Sequence, residues 1–209
     1  ETDTVQEPYY SNFINEFEFQ DTEDQANVTS ELLFDLNSGL PMDRLICGDV
    51  GFGKTEVALR GAFNVAMSGA QVAFIVPTTL LCSQHYENFT KRFKNFPLKV
   101  DQISRLNSTS ENNKIIERIN SGESDIVVGT HALLNSKIKF KKLGMLIIDE
   151  EQHFGVSQKE KIKSLRSNVH VLALTATPIP RTLQMSLVGL RDLSIISTAP
   201  LNRQNINTE

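Results

Sequence analysis

Six short apolar runs punctuate this chain, at residues 45–47, 72–76, 100–103, 126–128, 145–148 and 171–174, and nearly all lack polar alternation. A strand with one wet face alternates polar and apolar residues, so a run that is apolar throughout needs cover on both faces. The stretches between the runs supply that cover. Residues 79–94 place Cys82, Tyr86, Phe89 and Phe93 at helical spacing, and residues 56–67 are also helix-like. Strands alternating with helices predict an α/β fold: a mainly parallel sheet between two helical layers. The folded lobe is expected over residues 17–199. Residues 1–16, acidic and polar around Pro8, Tyr9 and Tyr10, read as a linker or an incoming helix from a preceding domain. Residues 200–209 turn polar after Pro200, through Asn202, Arg203, Gln204 and Asn205, and read as an outgoing linker.

Composition narrows the partners. The 209 residues carry 21 Lys and Arg against 25 Asp and Glu, so the net field is mildly acidic and any contact with DNA must be local. The Lys137, Lys139, Lys141 and Lys142 cluster reads as a solvated edge. Cys47 and Cys82 lie far apart and share no metal-ligand spacing with His85, His131, His153 or His170. They read as reduced core thiols of a cytoplasmic protein. No apolar run approaches the roughly 18 to 20 residues of a membrane span, and the N-terminus is not signal-like, so no membrane role is expected. An opening on Glu1 rather than Met reads as an excised piece.

The chemistry begins where the first apolar run ends. Gly48, Asp49, Val50, Gly51, Phe52, Gly53, Lys54 and Thr55 match G-x-x-x-x-G-K-[ST] between a strand and a helix. Glycines let the backbone curl until its N–H groups face phosphate oxygens, and the helix N-terminus adds its dipole. Lys54 is expected at the β- and γ-phosphates of ATP, with the Thr55 hydroxyl on Mg²⁺.

A second site element closes the run at 145–148, which leads into Asp149, Glu150, Glu151, Gln152 and His153. Carboxylates at the carboxyl end of a buried parallel strand share the sheet edge where such folds bind ligands. Asp149 is therefore expected to hold Mg²⁺ and Glu150 to orient and deprotonate the attacking water. Upstream, Thr22 and Gln25 fit T-x-x-Q, a helix capping box. The Gln25 amide also matches the donor-acceptor edge of adenine, with Phe17 or Phe19 to stack on the base, and spacing alone leaves both readings open.

Together these residues resemble the superfamily-2 helicases, in particular the first motor lobe of their transcription-repair coupling branch. The resemblance runs from about Phe17 to Pro200. Its motifs are the segment from Phe19 to Gln25, the phosphate loop, Pro77-Thr78-Thr79-Leu80-Leu81, Ser104-Arg105, Gly129-Thr130-His131, Asp149 to Gln152, and Thr175-Ala176-Thr177-Pro178-Ile179-Pro180-Arg181-Thr182. The last run is shared with RecG-like branch-migrating helicases. Phe52, Thr79-Leu80-Leu81 and Asp192-Leu193-Ser194-Ile195-Ile196 look more like the coupling branch.

The resemblance implies a RecA-like P-loop lobe of a motor that walks on double-stranded DNA with ATP and Mg²⁺, displaces stalled RNA polymerase and helps recruit nucleotide-excision repair. It implies that Gln25 reads adenine, and that Gln152, Thr175 and Thr177 couple nucleotide state to DNA grip. Pro77, Thr78, Thr79, Ser104, Arg105, Gly129 and Thr130 would line the DNA backbone path. Read by themselves, these last residues are also ordinary turn and helix-cap chemistry. The chain departs from the family at His153, where Arg is usual, and a histidine charge depends on pH where an arginine charge does not.

Two rival readings stay open: a RecG-like helicase lobe, and a nucleotide-dependent switch that binds a protein partner without translocating. No second ATP-facing lobe fits in the chain, so the 209 residues alone are expected to be a nearly inactive half-site.

Overall fold

The computed structural model describes residues 7–49, 53–165, 167–187, 190–197 and 201–202. Among the described residues there are nine strands: β1 (Phe19–Gln20), β2 (Asp43–Gly48), β3 (Gln71–Ile75), β4 (Val100–Ile103), β5 (Ile126–Gly129), β6 (Leu143–Asp149), β7 (His170–Thr175), β8 (Asp192–Ile196) and β9 (Leu201–Asn202). Seven of them form one sheet in the order β4-β5-β3-β6-β7-β2-β8, and every neighbouring pair is parallel. The helices are α1 (Glu7–Asn15), α2 (Glu23–Leu36), α3 (Lys54–Met67), α4 (Thr79–Arg92), α5 (Thr109–Ser121), α6 (Val156–Leu165) and α7 (Arg181–Leu187).

The missing alternation has its cause in the two cores. In β3, Val72 and Phe74 pack into one cluster with Phe13 of α1, Leu32 of α2, Phe63 of α3 and Phe89 of α4. Ala73 and Ile75, on the opposite face, pack with Ile115 and Ile119 of α5 and Ile162 of α6. The result is the three-layer RecA-like arrangement that the sequence predicts. At one edge β4 alternates, with Asp101 and Ile103 buried and its other two residues half-buried.

The packed unit extends upstream of Phe17. Phe13 is 0% exposed, and its ring stacks on Phe63 at 4.5 Å and Phe93 at 5.2 Å. Residues 7–15 are thus a helix of the lobe rather than a linker. The polar surroundings conceal them because one aromatic carries most of the docking. At the other end, β9 returns to pair antiparallel with β1, Phe19 opposite Asn202 and Gln20 opposite Leu201. The Ser197 amide donates to Asp24 Oδ2 at 2.8 Å. The remaining linker residues, 1–6, Pro200 and 203–209, lie outside the described residues.

Beyond the run at 171–174, β8 adds a further parallel strand beside β2. Being an edge strand, it buries Ser194 and Ile196 and leaves Asp192 and Ile195 exposed, a pattern without a continuous apolar run. Ser194 is held from inside: its Oγ donates to Glu31 of α2 and accepts from Arg44 Nη1 at 2.7 Å.

Candidate nucleotide site

The carboxyl ends of β6 and β7 meet α3 and α4 around a cavity of about 820 Å³. Its wall includes Phe17, Phe19, Gly53, Lys54, Thr55, His85, Arg92, Asp149, Glu150 and Ala176. Sequence positions from 17 to 176 thereby converge on one site.

The phosphate loop leaves β2 at Gly48, where a Cβ would stand 2.9 Å from the carbonyl oxygen of Ile196, so the neighbouring β8 demands glycine there. Gly53 enters α3 at φ 83°, a left-handed conformation that costs a residue with a Cβ about 1 kcal/mol or more. Val50, Gly51 and Phe52 lie outside the described residues. Lys54, 9% exposed, donates to the carbonyl oxygens of Gly48 and, at 3.1 Å, Asp49. These peptide oxygens stand in for the phosphate oxygens expected of it. Burial lowers the pKa of its ammonium against the opposing pull of Asp149 and Glu150.

Asp149 closes β6, and Glu150 follows at φ 51°, the only non-glycine residue with positive φ among the described residues. Strain of this kind, about 1–3 kcal/mol, persists where surrounding contacts over-determine the backbone. Those contacts are visible. The Glu150 carboxylate accepts from the Ala176 amide at 2.7 Å, the Thr175 hydroxyl at 3.2 Å and the Gln152 amide. Gln152 also reaches Thr177 Oγ1 at 3.4 Å, and Thr175 Oγ1 accepts from the Thr177 amide at 3.1 Å. Glu150, Gln152, Thr175 and Thr177 therefore form one connected patch beside Asp149. His153 stands apart: its amide donates to Glu150 O at 3.0 Å while its side chain is exposed.

Thr22 and Gln25 make both capping-box bonds, Thr22 N to Gln25 Oε1 at 3.0 Å and Gln25 N to Thr22 Oγ1 at 3.1 Å. Gln25 is 0% exposed, and its Nε2 has no protein partner. The cap occupies the acceptor end of the amide and leaves the donor end open. Gln25 itself is not on the cavity wall, whereas Phe17 and Phe19 are.

The residues assigned to a DNA path follow β3, β4 and β5 along the same sheet edge. Thr78 Oγ1 caps α4 through the Leu81 amide at 3.2 Å, Ser104 Oγ accepts from Leu106 N at 3.1 Å, and Thr130 Oγ1 accepts from Ala132 N at 3.5 Å. The cap and turn chemistry is thus realised in these three. A Cβ on Gly129 would meet Leu133 at 2.6 Å, so packing alone accounts for that glycine. Pro77 and Thr79 are half-buried and Arg105 is exposed.

Sequence reasoning missed an ionic cluster beneath Phe17. Arg60, 1% exposed, bonds Asp21 at 2.7 and 2.8 Å and Glu56 at 3.4 Å, while Arg92 of α4 pairs with the same Glu56. Burial opposes the Arg60 charge, but Asp21 outweighs it and raises the pKa. The Glu56–Arg60 spacing of four was legible on a helix. The partners Asp21 and Arg92, distant in sequence, were not. Arg191 is likewise engaged, with Asp43 at 3.1 Å and Glu151 at 3.3 Å. Cys47 and Cys82 are buried and unpaired, and burial pushes the Cys82 thiol up to about 11.

Fold and site together define a phosphate-loop ATPase lobe of the helicase type. A family model for DEAD/DEAH box helicases matches residues 22–186, and the chain belongs to that family. Its sequence is 56% identical over 203 residues to the transcription-repair-coupling factor of Rickettsia bellii (strain RML369-C), covering 95% of this chain and 18% of that protein. With the transcription-repair-coupling factor of Escherichia coli (strain K12) it shares 53% identity over 199 residues, 95% of this chain and 17% of the relative. The structure of RecG bound to a three-way DNA junction superposes with a TM-score of 0.79 at 32% identity, covering 99% of this chain and 27% of that one. The chain spans less than a fifth of the length of these two curated relatives. No helix among the described residues is long and apolar enough to cross a membrane.

Proposed function

We propose that this chain is the ATP-binding lobe of a cytoplasmic double-stranded DNA translocase that displaces stalled RNA polymerase and recruits DNA repair, working with a second RecA-like lobe. The observation that carries the motor reading is the network on Glu150. The hydrolytic carboxylate is bonded to Thr175 and Ala176 and, through Gln152, to Thr177. A change in what Glu150 faces is therefore felt along the segment that leaves β7. The identity of 56% to a coupling factor, against 32% to RecG, favours the coupling branch over a branch-migrating helicase.

Within the site, Lys54 meets the β- and γ-phosphates, and Thr55 and Asp149 hold Mg²⁺ between them. A hydroxyl and a carboxylate on one cavity wall are the hard oxygen donors that this ion prefers. Bound Mg²⁺ supplies charge neutralisation at the phosphoryl oxygens. Glu150 orients and deprotonates the attacking water. Phe17 and Phe19 pack the base, and the open donor of Gln25 suits an adenine acceptor. Gln152, Thr175 and Thr177 transmit nucleotide state, while the exposed His153 offers a ring donor beside them. Pro77, Thr78, Thr79, Ser104, Arg105, Gly129 and Thr130 grip the DNA backbone without reading sequence.

The test is steady-state ATPase of the 209-residue chain and of the full-length protein, each with and without duplex DNA, with Lys54→Ala as the contamination control. An arginine supplied across the cleft contributes about 10³ to 10⁵ in rate in related systems. Arg191 is occupied by Asp43 and Glu151, so the chain alone is expected near background. Robust DNA-stimulated turnover by the chain alone, lost in Lys54→Ala, refutes the half-site. A full-length ATPase indifferent to DNA refutes the translocase.

A further inference from the structure

A carboxylate that is to receive a metal ion has several rotamers, and only one presents an oxygen to the ion. Metal-binding carboxylates are accordingly held by a further hydrogen bond from behind. Beside Asp149 a side-chain donor comes from α4: His85 Nε2 faces Asp149 Oδ2 at 3.7 Å. The gap exceeds hydrogen-bond range by about half an ångström, which a small rotation of either side chain closes.

The ring is not free to wander. It packs against Phe74 at 5.1 Å and Phe89 at 5.5 Å, both fully buried, and its side chain is only 16% exposed. His85 also lines the cavity with Lys54 and Thr55. A core histidine that merely filled space beside two phenylalanines would have no need to aim a nitrogen at the nucleotide site.

We propose that His85 is a positioning residue of the nucleotide site, whose Nε2–H holds Asp149 in the rotamer that accepts the Mg²⁺ of bound nucleotide. The inference rests on the assignment of Asp149 to the metal. It gives α4 a share in metal binding, through a ring locked by the aromatic core.

Two substitutions separate positioning from packing. His85→Phe keeps an aromatic ring between Phe74 and Phe89 and removes the donor, whereas His85→Gln removes the ring and keeps an N–H within reach. The probe is the fluorescent analogue mant-ATP bound to the full-length protein at graded Mg²⁺, alongside thermal melting. Positioning predicts that His85→Phe raises the Mg²⁺ concentration for half-maximal binding about tenfold with an unchanged melting temperature. Binding without Mg²⁺ stays as in wild type, His85→Gln stays within about twofold, and His85→Leu follows His85→Phe. Wild-type Mg²⁺ dependence in His85→Phe and His85→Leu overturns the proposal, as does equal impairment of the phenylalanine and glutamine variants. Lys54→Ala separates the two levels: if it also binds mant-ATP normally, the nucleotide-site reading itself fails. If Lys54→Ala loses binding while His85→Phe does not, only the role of His85 fails.

Discussion

Replacing Glu150 with Gln removes the base while keeping its shape, and the surrounding bonds allow the cost to be divided. The Ala176 amide at 2.7 Å retains an acceptor in the glutamine oxygen, although a charge-assisted bond becomes a neutral one of roughly half the strength. Thr175 Oγ1 turns from donor to acceptor, and the exposed Gln152 amide finds water in place of the carboxylate. Left-handed backbone at Glu150 costs both residues alike. The folded state should therefore lose only about 1–2 kcal/mol. Chemistry should lose far more, about 10² to 10⁴ in rate, which corresponds to about 3–5 kcal/mol at the transition state. In the full-length protein, single-turnover ATP cleavage should fall by that factor while Mg²⁺-ATP affinity stays within a few-fold of wild type. Asp149→Asn should do the opposite, weakening Mg²⁺ dependence and nucleotide retention. Equal loss of binding in both variants would refute the division of roles.

Three further outcomes are expected. Gln25→Ala should lower stability by about 1 kcal/mol through the lost cap and also narrow the preference for ATP over GTP, measured by melting and competition binding; a melting change alone leaves Gln25 as a cap only. Phe13→Ala should cost about 3–5 kcal/mol in denaturant unfolding if α1 belongs to the lobe, and a cost near zero would detach it. The half-buried His170 accepts the Met42 amide at Nδ1, 2.9 Å away, and its partial burial lowers its pKa from the ordinary 6.5. With the folded pKa depressed, its stabilisation is present above 6.5 and is lost as pH falls below that value toward the folded pKa, because the unfolded chain takes the proton first. His170→Asn, which offers Oδ1 as acceptor, should flatten the melting temperature across that window, and an unchanged acid slope would refute the assignment.

What the sequence reveals depends on how local the physics is. The central strands are legible because a residue pressed between two helical layers must be apolar wherever it points. That rule stops at β8, whose open side admits Asp192 and whose inner face seats Ser194 on Arg44. The phosphate loop and the Asp149–Glu150 pair are legible because each completes its chemistry within a few consecutive residues. His85 is not: its significance lies in a carboxylate 64 positions away, and only the packing of α4 on the sheet, with His85 and Phe89 against Phe74, brings them together. The Arg60 cluster is half legible for the same reason.

The two-residue pairing of β1 with β9 gives the lobe a mechanical property. The segment that carries Phe19 to the cavity wall is bonded to Leu201–Asn202, just ahead of residues 203–209. Tension applied beyond Asn202 thus meets this short ribbon, and behind it the bond from Ser197 to Asp24, before it meets the sheet. Ladder bonds in an antiparallel pair lie across the strands, so a pull along the strand loads them together and a sideways pull opens them one at a time. Such a ribbon yields at forces that leave the seven-stranded sheet intact, and when it yields the Phe19 strand loses its partner. The direction in which residues 203–209 are drawn would then decide how firmly the Phe19 strand is held at the cavity wall.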